Sequence, residues 1–280
     1  MLTYPYIDPV IFSLGPVKFH WYGLMYLIGF VGGWWLGVIR TRQPHVDWKP
    51  EQMADLMFYI ALGVVLGGRI GYMIFYNPFL PVGEKAAFYE IWKGGMSFHG
   101  GFLGVLVAML LYGRKYHRRF FEITDFIAPL VTVGLGAGRI GNFINGELWG
   151  KPGNWPWTMQ LPCARYPQYC DTPNQIFSAP RHPSQLYEFM LEGVVLFIIL
   201  WLYSRKPRPT MAVSGLFMIC YGLFRFLVEF VRLPDAQLGY LAFGWVTMGQ
   251  VLSLPMILIG IGMMLWAYRH HPAPATHKGA

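Results

Sequence analysis

Four polar residues crowd the end of an otherwise apolar segment that begins near Phe126; they are Arg139, Asn142, Asn145 and Glu147. Arg139 and Asn142 stand three positions apart and share a face if the segment is helical. A charged side chain inside a transmembrane segment costs ~2.5–3.5 kcal/mol on insertion scales, and such residues usually face a polar interior. The pattern favours an anion or headgroup site, and the alternative is an arginine that snorkels to the headgroups beside a glycine-rich packing face.

A later apolar run carries a second polar face, because Tyr221, Arg225, Glu229 and Arg232 fall within about 80° of one another at 100° per residue. An Arg225–Glu229 pair four positions apart would neutralise part of this charge and lower the cost of burial. The arginines of the apolar segments still outnumber the glutamates there: Arg69, Arg139, Arg225 and Arg232 stand against Glu147, Glu188 and Glu229. We expect the spare guanidinium charge to bind a phosphate, which arginine contacts bidentately.

His99 opens another apolar run. With an ordinary pKa near 6.5, a histidine is suited to general-base work at neutral pH, and the alternative is an interfacial hydrogen-bonding role. In the run that begins with HPSQLYE, Gln185, Glu188 and Glu192 share one helical face. This face offers hydrogen-bond acceptors where the arginine-bearing segments offer donors.

The elements that would hold these residues are membrane helices. Of the 280 residues, 55% are hydrophobic and only 13% are charged, too few charges for a soluble domain of this size. The net charge of +8 does not indicate nucleic-acid binding, because the basic residues cluster in short loops between apolar runs, as topology signals do. The N-terminus has no basic start, so we expect no cleavable signal peptide. The chain is predicted to be an all-α, polytopic membrane protein with a single transmembrane domain over residues 1–280.

Seven apolar segments of about twenty residues are long enough to cross a bilayer. They lie near residues 18–40, 52–76, 97–113, 121–146, 183–204, 212–233 and 244–268. Lysine and arginine cluster in alternate connections, which are therefore predicted to be cytoplasmic, with the N-terminus outside and the C-terminus inside. Polar residues of six helices then fall at one depth in the outer leaflet, and Tyr26 of the first helix is among them. We expect a single polar chamber there.

The stretch 147–181, between the fourth and fifth helices, is rich in Pro, Trp and Tyr and is predicted to form an external cap or arm. Its cysteines, Cys163 and Cys170, would form a disulfide if the loop faces an oxidising compartment. Its tryptophans could form an anchoring belt at the membrane interface; they are Trp149, Trp155 and Trp157. Residues 269–280 are expected to be a disordered cytoplasmic tail.

The sequence has no CxxC or HExxH zinc pattern, no GxSxG, no P-loop and no dinucleotide fingerprint. We therefore expect no metal and no cofactor. No cysteine or serine stands out as a nucleophile. An enzyme with this sequence would take its nucleophile from a substrate.

Four motifs carry a resemblance to a known family: HGG at 99–101, GRIGNFINGELWG at 138–150, HPSQLYE at 182–188 and YGLFRFLVEFVR at 221–232. With these motifs in a seven-span layout, the chain resembles the prolipoprotein diacylglyceryl transferases, bacterial inner-membrane enzymes that begin lipoprotein maturation. The resemblance implies transfer of the sn-1,2-diacylglyceryl group of phosphatidylglycerol to the thiol of a lipobox cysteine in a prolipoprotein signal peptide. A thioether forms and glycerol phosphate is released, and no metal or nucleotide is implied.

The family's functional positions fall on Tyr26, His99, Arg139, Asn142, Glu147, Gly150, Tyr221, Arg225 and Glu229. Cleavage of the carbon–oxygen bond places charge on the leaving phosphate, which Arg139 and Arg225 could stabilise. A thiol with a pKa near 8.5 is only a few per cent thiolate at pH 7, so a base such as His99 would help, with Tyr26 and Glu147 as further catalytic residues. Substrate binding is expected from Gly100, Gly101, Asn142, Gly150, Gln185, Glu188, Tyr221, Glu229 and Arg232.

Two other function classes are compatible with the sequence. A lipid or small-anion transporter would use the chamber as a binding site, but its polar residues should continue toward the cytoplasmic half. That half contains mainly Asp55, Glu122 and Asp125, which lie at helix ends. The third possibility is a non-catalytic receptor or chaperone for signal peptides.

Overall fold

Long apolar helices make up most of the computed structural model, which describes residues 2–15, 17–80, 85–90, 94–172, 174–234 and 239–270. The α-helices are α1 (Trp21–Thr41), α2 (Pro50–Phe75), α3 (Phe98–Tyr116), α4 (Phe120–Asn145), α5 (Ser184–Glu188), α6 (Leu196–Tyr203), α7 (Ala212–Val228) and α8 (Met248–His270). A π-helical segment, Phe189–Val195, joins α5 to α6. The prediction of a mainly helical membrane protein is confirmed.

Five helical stretches in the described ranges are long and apolar enough to cross a membrane: Trp21–Thr41, Pro50–Phe79, Phe120–Asn145, Ser184–Tyr203 and Met248–His270. Two helices at predicted spans are not among the five. α7 is apolar but has 17 residues, and α3 has 19 residues. The count of seven spans and their orientation therefore stay predictions.

Four short strands lie outside the helices. β1 (Leu2–Thr3) pairs in parallel with β4 (Met159–Gln160), and β2 (Val10–Leu14) forms an antiparallel hairpin with β3 (Val17–His20). Gly15 has a φ of +60°, which lets the chain reverse between β2 and β3. Because β3 runs up to His20, the first helix begins at Trp21 and not near residue 18 as predicted.

The chain divides into two compact units: the first is Met1–Gly33 with Asp125–Ala280, and the second is Trp34–Thr124. In the second unit, α2 and α3 bring their backbones into contact through glycines. A Cβ added to Gly67 would lie 2.8 Å from the Cα of Gly104, and one added to Gly104 would overlap the carbonyl oxygen of Gly63. The absence of side chains at these positions permits the close approach of the two helices.

In the first unit, residues 147–181, here called the cap segment, fold around a small aromatic core. The buried side chains of this core are Tyr4, Trp149, Leu161 and Tyr166. The ring of Tyr4 meets that of Trp149 edge-to-face at 5.2 Å, and its hydroxyl donates to the carbonyl of Phe143 at 2.6 Å. The N-terminal strand is thereby tied to the cap segment by packing as well as by the β1–β4 pairing.

The cap segment confirms one prediction and corrects another. Cys163 and Cys170 form the expected disulfide. The prediction that Trp149 lies in an interfacial belt is wrong. Its side chain is only 1% exposed because it packs in the aromatic core. Trp155 and Trp157 are exposed and stack on each other at 5.2 Å. The predicted disordered tail lies outside the described residues beyond His270, while Arg269 and His270 end α8.

Candidate functional site

Three arginines and three glutamates form one ion-pair network in the first unit. The side chains come from α4, α5, the π-helical segment, and α7 with the turn after it: Arg139, Glu188, Glu192, Arg225, Glu229 and Arg232. Glu188 contacts all three arginines. Its Oε2 lies 3.2 Å from Arg139 Nη1, and its Oε1 lies 2.5 Å from Arg225 Nη1. The same Oε1 lies 3.2 Å from Arg232 Nη1.

The other two glutamates complete the network. Arg139 Nη2 lies 3.3 Å from Glu192 Oε2, and Arg225 Nη2 lies 3.0 Å from Glu229 Oε2. Arg232 Nε is 3.9 Å from the same Glu229 oxygen. The predicted Arg225–Glu229 pair is confirmed. Each arginine therefore bridges two carboxylates, which fixes the plane of its guanidinium group.

The two kinds of charge differ in exposure. The side chains of Glu188 and Glu192 are 0% exposed, whereas those of Arg139 and Arg225 are each 18% exposed. The side chains of Arg139 and Arg225 are thus more accessible than those of Glu188 and Glu192. A guanidinium has five N–H donors, so pairing with two carboxylates leaves donors for an incoming phosphate.

The network has equal numbers of arginines and glutamates, so the predicted excess of positive charge is wrong for this cluster. Three residues account for the difference. Glu147 was counted, but it accepts from Asn142 and Asn145 and is not part of the network. Glu192 was left out of the predicted charge count although it lies on the same helical face as Glu188, and it pairs with Arg139. Arg69 belongs to the second unit. The arginines and glutamates of this cluster are equal in number, and they differ in exposure.

Arg69 has a structural role in the second unit. It is 1% exposed, and its guanidinium donates hydrogen bonds of 2.5–3.2 Å to five backbone carbonyls in the chain after α2. The acceptors are Ala87, Phe88, Glu90, Gly94 and Gly95. These bonds satisfy the donors of the buried charge, so Arg69 is not available for a phosphate.

The end of α4 holds a second polar group beside the network. Asn142 Nδ2 donates to Glu147 Oε2 at 3.3 Å, and Asn145 Nδ2 donates to Glu147 Oε1 at 3.1 Å. Gly146 has a φ of +68°, which ends the helix and turns Glu147 back toward Asn142. The Glu147 carboxylate is thus oriented by two amides while its residue remains exposed.

Two side chains at the start of α5 donate hydrogen bonds to the backbone of this turn. Gln185 is buried, and its side-chain amide donates to the Glu147 carbonyl. Ser184 Oγ donates to the Leu148 carbonyl at 2.6 Å. Gln185, predicted to bind substrate, therefore holds the backbone of a predicted catalytic residue.

Tyr26 reaches the polar end of α4 through a neighbouring tyrosine. The hydroxyls of Tyr22 and Tyr26 are 3.4 Å apart, and Tyr22 interacts with the Asn142 side chain. A Cβ added to Gly141 would lie 2.7 Å from the Tyr22 ring, so the glycine makes room for it. Tyr22 was not predicted, although its position four residues before Tyr26 puts both on one face.

Tyr221 occupies the α7 side of the network. It lies within electrostatic range of Arg139, Glu192 and Arg225, and its ring stacks on Phe217 at 5.6 Å. Its prediction as a site residue fits this position beside the arginines.

Gly150 links the cap segment to the turn after α7. It forms an antiparallel bridge with Arg232, and its N–H donates to the His182 carbonyl at 2.9 Å. A Cβ at Gly150 would overlap the carbonyl oxygen of Val231, which explains the need for glycine. The neighbouring His182 ring is buried, and burial lowers the pKa of His182 below its ordinary value.

The residues of the HGG motif belong to the second unit. His99 is exposed at the start of α3, with its ring 5.6 Å from that of Phe98. Gly100 faces α2, because a Cβ there would lie 2.9 Å from the Cα of Gly71. Gly101 has more room, since its nearest neighbour would be the Val64 carbonyl at 3.6 Å. Gly100 therefore serves helix packing, and the roles of His99 and Gly101 stay predictions.

Gly249 is another residue that the sequence did not indicate. A Cβ at this position, in the first turn of α8, would lie 2.7 Å from the Glu229 carboxyl carbon. The glycine thus lets the N-terminus of a long helix approach Glu229, and the helix dipole favours a negative charge there. A lone glycine at a helix start gives no sequence signal for such a contact.

Comparison with known proteins agrees with the motifs. The model of the family described as prolipoprotein diacylglyceryl transferase matches residues 9–266. A relative from Azotobacter vinelandii is 61% identical over 269 residues, which cover 96% of this chain and 97% of the relative. Relatives from Pseudomonas paraeruginosa and Pseudomonas putida are each 58% identical, over 98% and 97% of this chain and 98% of each relative.

All three relatives are named phosphatidylglycerol–prolipoprotein diacylglyceryl transferase. The family match extends over most of the chain, and the relatives are far above the identity at which membership becomes doubtful. The chain therefore belongs to the prolipoprotein diacylglyceryl transferase family.

Proposed function

We propose that this chain transfers the sn-1,2-diacylglyceryl group of phosphatidylglycerol to the lipobox cysteine thiol of a prolipoprotein. The carbon–oxygen bond between the glyceryl carbon and the phosphate breaks, a carbon–sulfur bond forms, and glycerol phosphate leaves. The names of the relatives support the two substrates. The observation that carries the proposal is the pair of partly exposed arginine side chains, Arg139 and Arg225, that buried glutamates hold in place.

Arg139 and Arg225 are proposed to stabilise the leaving group. Charge on the phosphate oxygen grows only as the bond to carbon breaks, so donors fixed in advance at that oxygen lower the barrier. Losing one such donor typically costs ~2.7–4 kcal/mol in comparable oxyanion sites. Glu188 supports both residues, because it contacts one Nη nitrogen of each.

The neighbouring residues are proposed to bind and orient the substrate. Asn142 and Glu147 present an amide and a carboxylate at the end of α4, suited to the hydroxyls of a glycerol headgroup. Arg232 and Tyr221 extend the donor surface, and Tyr26 is a further hydroxyl on the α1 side. Glu229 holds Arg225, and Gly150 fixes the backbone beside Arg232.

His99 is proposed to take the proton from the substrate thiol. At neutral pH a thiol with an ordinary pKa is mostly protonated, so a base raises the concentration of the nucleophile. His99→Gln should therefore lose activity at pH 7 and recover most of it near pH 9, where the thiol ionises unaided. His20→Gln, which changes another exposed histidine, serves as the control. An equal proportional loss at every pH would remove His99 from the base role.

The proposed topology is seven spans in the bacterial inner membrane, with the N-terminus outside and the C-terminus inside. Hydrogen-bonded strands must lie on one side of a membrane, so an even number of spans must separate β1 from β4. Three of the five apolar stretches lie between them, and α3 supplies the fourth. The bridge between Gly150 and Arg232 likewise supports a crossing by α7 together with the Ser184–Tyr203 span.

The direction of the seven spans follows from the basic connections. Reporter fusions at Gly113 and Arg208 should read as cytoplasmic, and one at Pro156 as external. A reversed reading at any of the three positions would contradict the orientation.

The transfer itself is tested with purified protein in vesicles that contain phosphatidylglycerol labelled in its acyl chains. A peptide with a lipobox cysteine is the acceptor, and the same peptide with serine is the control. We expect a thioether-linked diacylglyceryl peptide and an equal amount of glycerol phosphate. Movement of labelled lipid between leaflets without this product would favour the transporter alternative.

A further inference from the structure

A cavity of about 380 Å³ lies at the turn between α3 and α4, entirely within the second unit. Four basic side chains line it: Arg114, His117, Arg118 and Arg119. It shares no residue with the arginine–glutamate network. Its lining contains no Asp or Glu among the described residues.

The backbone of this turn brings the basic residues together. His117 ends α3 in the left-handed conformation with a φ of 52°, and the Arg118 N–H returns to the Gly113 carbonyl at 2.9 Å. A Cβ at Gly113 would lie 2.7 Å from the Arg118 carbonyl oxygen. The reversal is therefore tight, and residues from both helix ends face one space.

Arg118 forms part of the cavity wall. Its guanidinium lies 4.3 Å from the centre of the Trp48 ring, and its Nη2 donates to Gln52 Oε1 at 3.0 Å. The nearby carboxylate of Glu122 accepts from the Arg119 backbone N–H at 3.2 Å and so caps the start of α4. Arg114 and Arg119 themselves are exposed, which leaves two guanidinium groups at the cavity mouth.

The rest of the lining is apolar. Met109 and Leu110 contribute from α3, and Phe120 contributes from the first residue of α4. A loop that served only as a topology signal would need positive charge but not a cavity with an apolar wall. Basic rims with apolar walls at the ends of membrane helices suit an amphiphile that carries an anionic headgroup.

We infer that this cavity binds the phosphate headgroup of an anionic phospholipid in the cytoplasmic leaflet. The leaflet rests on the proposed topology, which makes the α3–α4 connection cytoplasmic. Arg114 and Arg119 contact the phosphate, and Leu110 and Phe120 contact the glycerol and the first carbons of the chains. Free phosphate would use only the basic rim, so the apolar wall selects the lipid.

The test uses the full chain in nanodiscs of phosphatidylcholine with phosphatidic acid that carries a photoactivatable acyl chain. Phosphatidic acid is chosen because it is not the proposed transfer substrate. After illumination, mass spectrometry measures labelling of the peptide that contains residues 109–120. The variant pair Arg114→Gln/Arg119→Gln is compared with Arg205→Gln/Lys206→Gln, which removes the same charge from another basic connection.

We expect labelling of this peptide to fall roughly 30-fold in the first pair, at about 1 kcal/mol for each basic residue near an anionic surface, and to be unchanged in the second. Unlabelled phosphatidic acid should compete, and phosphatidylcholine should not. The inference is overturned if both variant pairs lose labelling equally, if a phosphatidylcholine probe labels as well, or if equimolar inorganic phosphate displaces the lipid.

Diacylglyceryl transfer by the same samples separates this inference from the proposed function. We expect both variant pairs to transfer at the wild-type rate, because none of the four residues belongs to the arginine–glutamate network. Failure of the wild type to make the thioether product would remove the proposed function and leave the labelling result intact. Equal thermal unfolding of the two pairs checks that each is folded.

Discussion

Replacing Arg139 by lysine should slow diacylglyceryl transfer by about 30-fold at saturating phosphatidylglycerol. In the structure, Arg139 divides its terminal nitrogens between Glu188 and Glu192, at 3.2 and 3.3 Å. A lysine ammonium is one point charge on a flexible stem, so it cannot hold both carboxylates and also turn a donor to the phosphate. A hydrogen bond to a charged group contributes about 1.5–3 kcal/mol. Losing one in the transition state, at ~2 kcal/mol, gives the stated factor.

The assay is single-turnover transfer in vesicles across a range of phosphatidylglycerol concentrations. Because the lost contact belongs to bond breaking, kcat should fall while KM changes little. Arg165→Lys is the matched control: Arg165 lies over the Tyr6 ring at 4.5 Å, away from the network, and its change should cost less than about twofold. Normal turnover of Arg139→Lys at saturating lipid would refute the reasoning and reduce Arg139 to a binding residue.

A double variant separates the chemical effect from a structural one. Glu188 keeps its pairs with Arg225 and Arg232 in this variant, but Glu192 pairs with Arg139 in the network, so the lysine is expected to weaken the pairing of the buried Glu192 carboxylate. An unpaired buried charge is strongly destabilising. Arg139→Lys/Glu192→Gln removes that charge, so thermal stability should return toward the wild type. Turnover should stay low, because the phosphate donor is still missing. Recovery of both properties together would mean that Arg139 acts only through stability.

Three further predictions follow from other contacts. Gly193→Ala should destabilise the protein by about 1–3 kcal/mol in thermal unfolding, because the added Cβ would lie 2.8 Å from the Cα of Gly136 in α4. Gly262→Ala is the control and should be tolerated, because the space around its Cβ is open. Burial lowers the pKa of His182, so below about pH 6.5 the unfolded state binds more protons than the folded state. The cap segment next to His182 should therefore lose hydrogen-exchange protection as the pH falls. His182→Gln should abolish that loss. Changing both Cys163 and Cys170 to alanine should weaken protection of the cap segment by about 2.5 kcal/mol, as expected for a loop this short, and unchanged exchange would mean that the aromatic core suffices.

Sequence reasoning located the helices because apolar length is a local property, and it found Arg139, Arg225 and Glu229 because charges stand out in apolar runs. It misjudged residues whose roles depend on distant partners. Arg69 was predicted to contribute positive charge for a phosphate, yet its guanidinium donates hydrogen bonds to backbone carbonyls of the chain after α2. Trp149 looked interfacial, yet it packs on Tyr4 from the other end of the sequence. Such long-range contacts leave no periodic signal.

The helix boundaries show the same limit. The span at 183–204 was predicted, but its π-helical middle, Phe189–Val195, was not. A π-helix has more residues per turn than the 3.6 of an α-helix, and over only seven residues this difference moves few side chains to another face. Residues 18–20, the end of β3, were predicted as the start of the first helix, since Phe19 is as apolar as the helix residues that follow. Composition does not distinguish a short strand from a first helical turn.

The pairing of β1 with β4 also sets an order of events during synthesis. Leu2 and Thr3 are among the first residues made, but their partners, Met159 and Gln160, follow only after α1 to α4. At about 5–20 residues per second, translation leaves the early strand without its partner for roughly 8–30 s. The β1–β4 pairing that ties the N-terminal strand to the cap segment therefore cannot form until α1 to α4 have been synthesised.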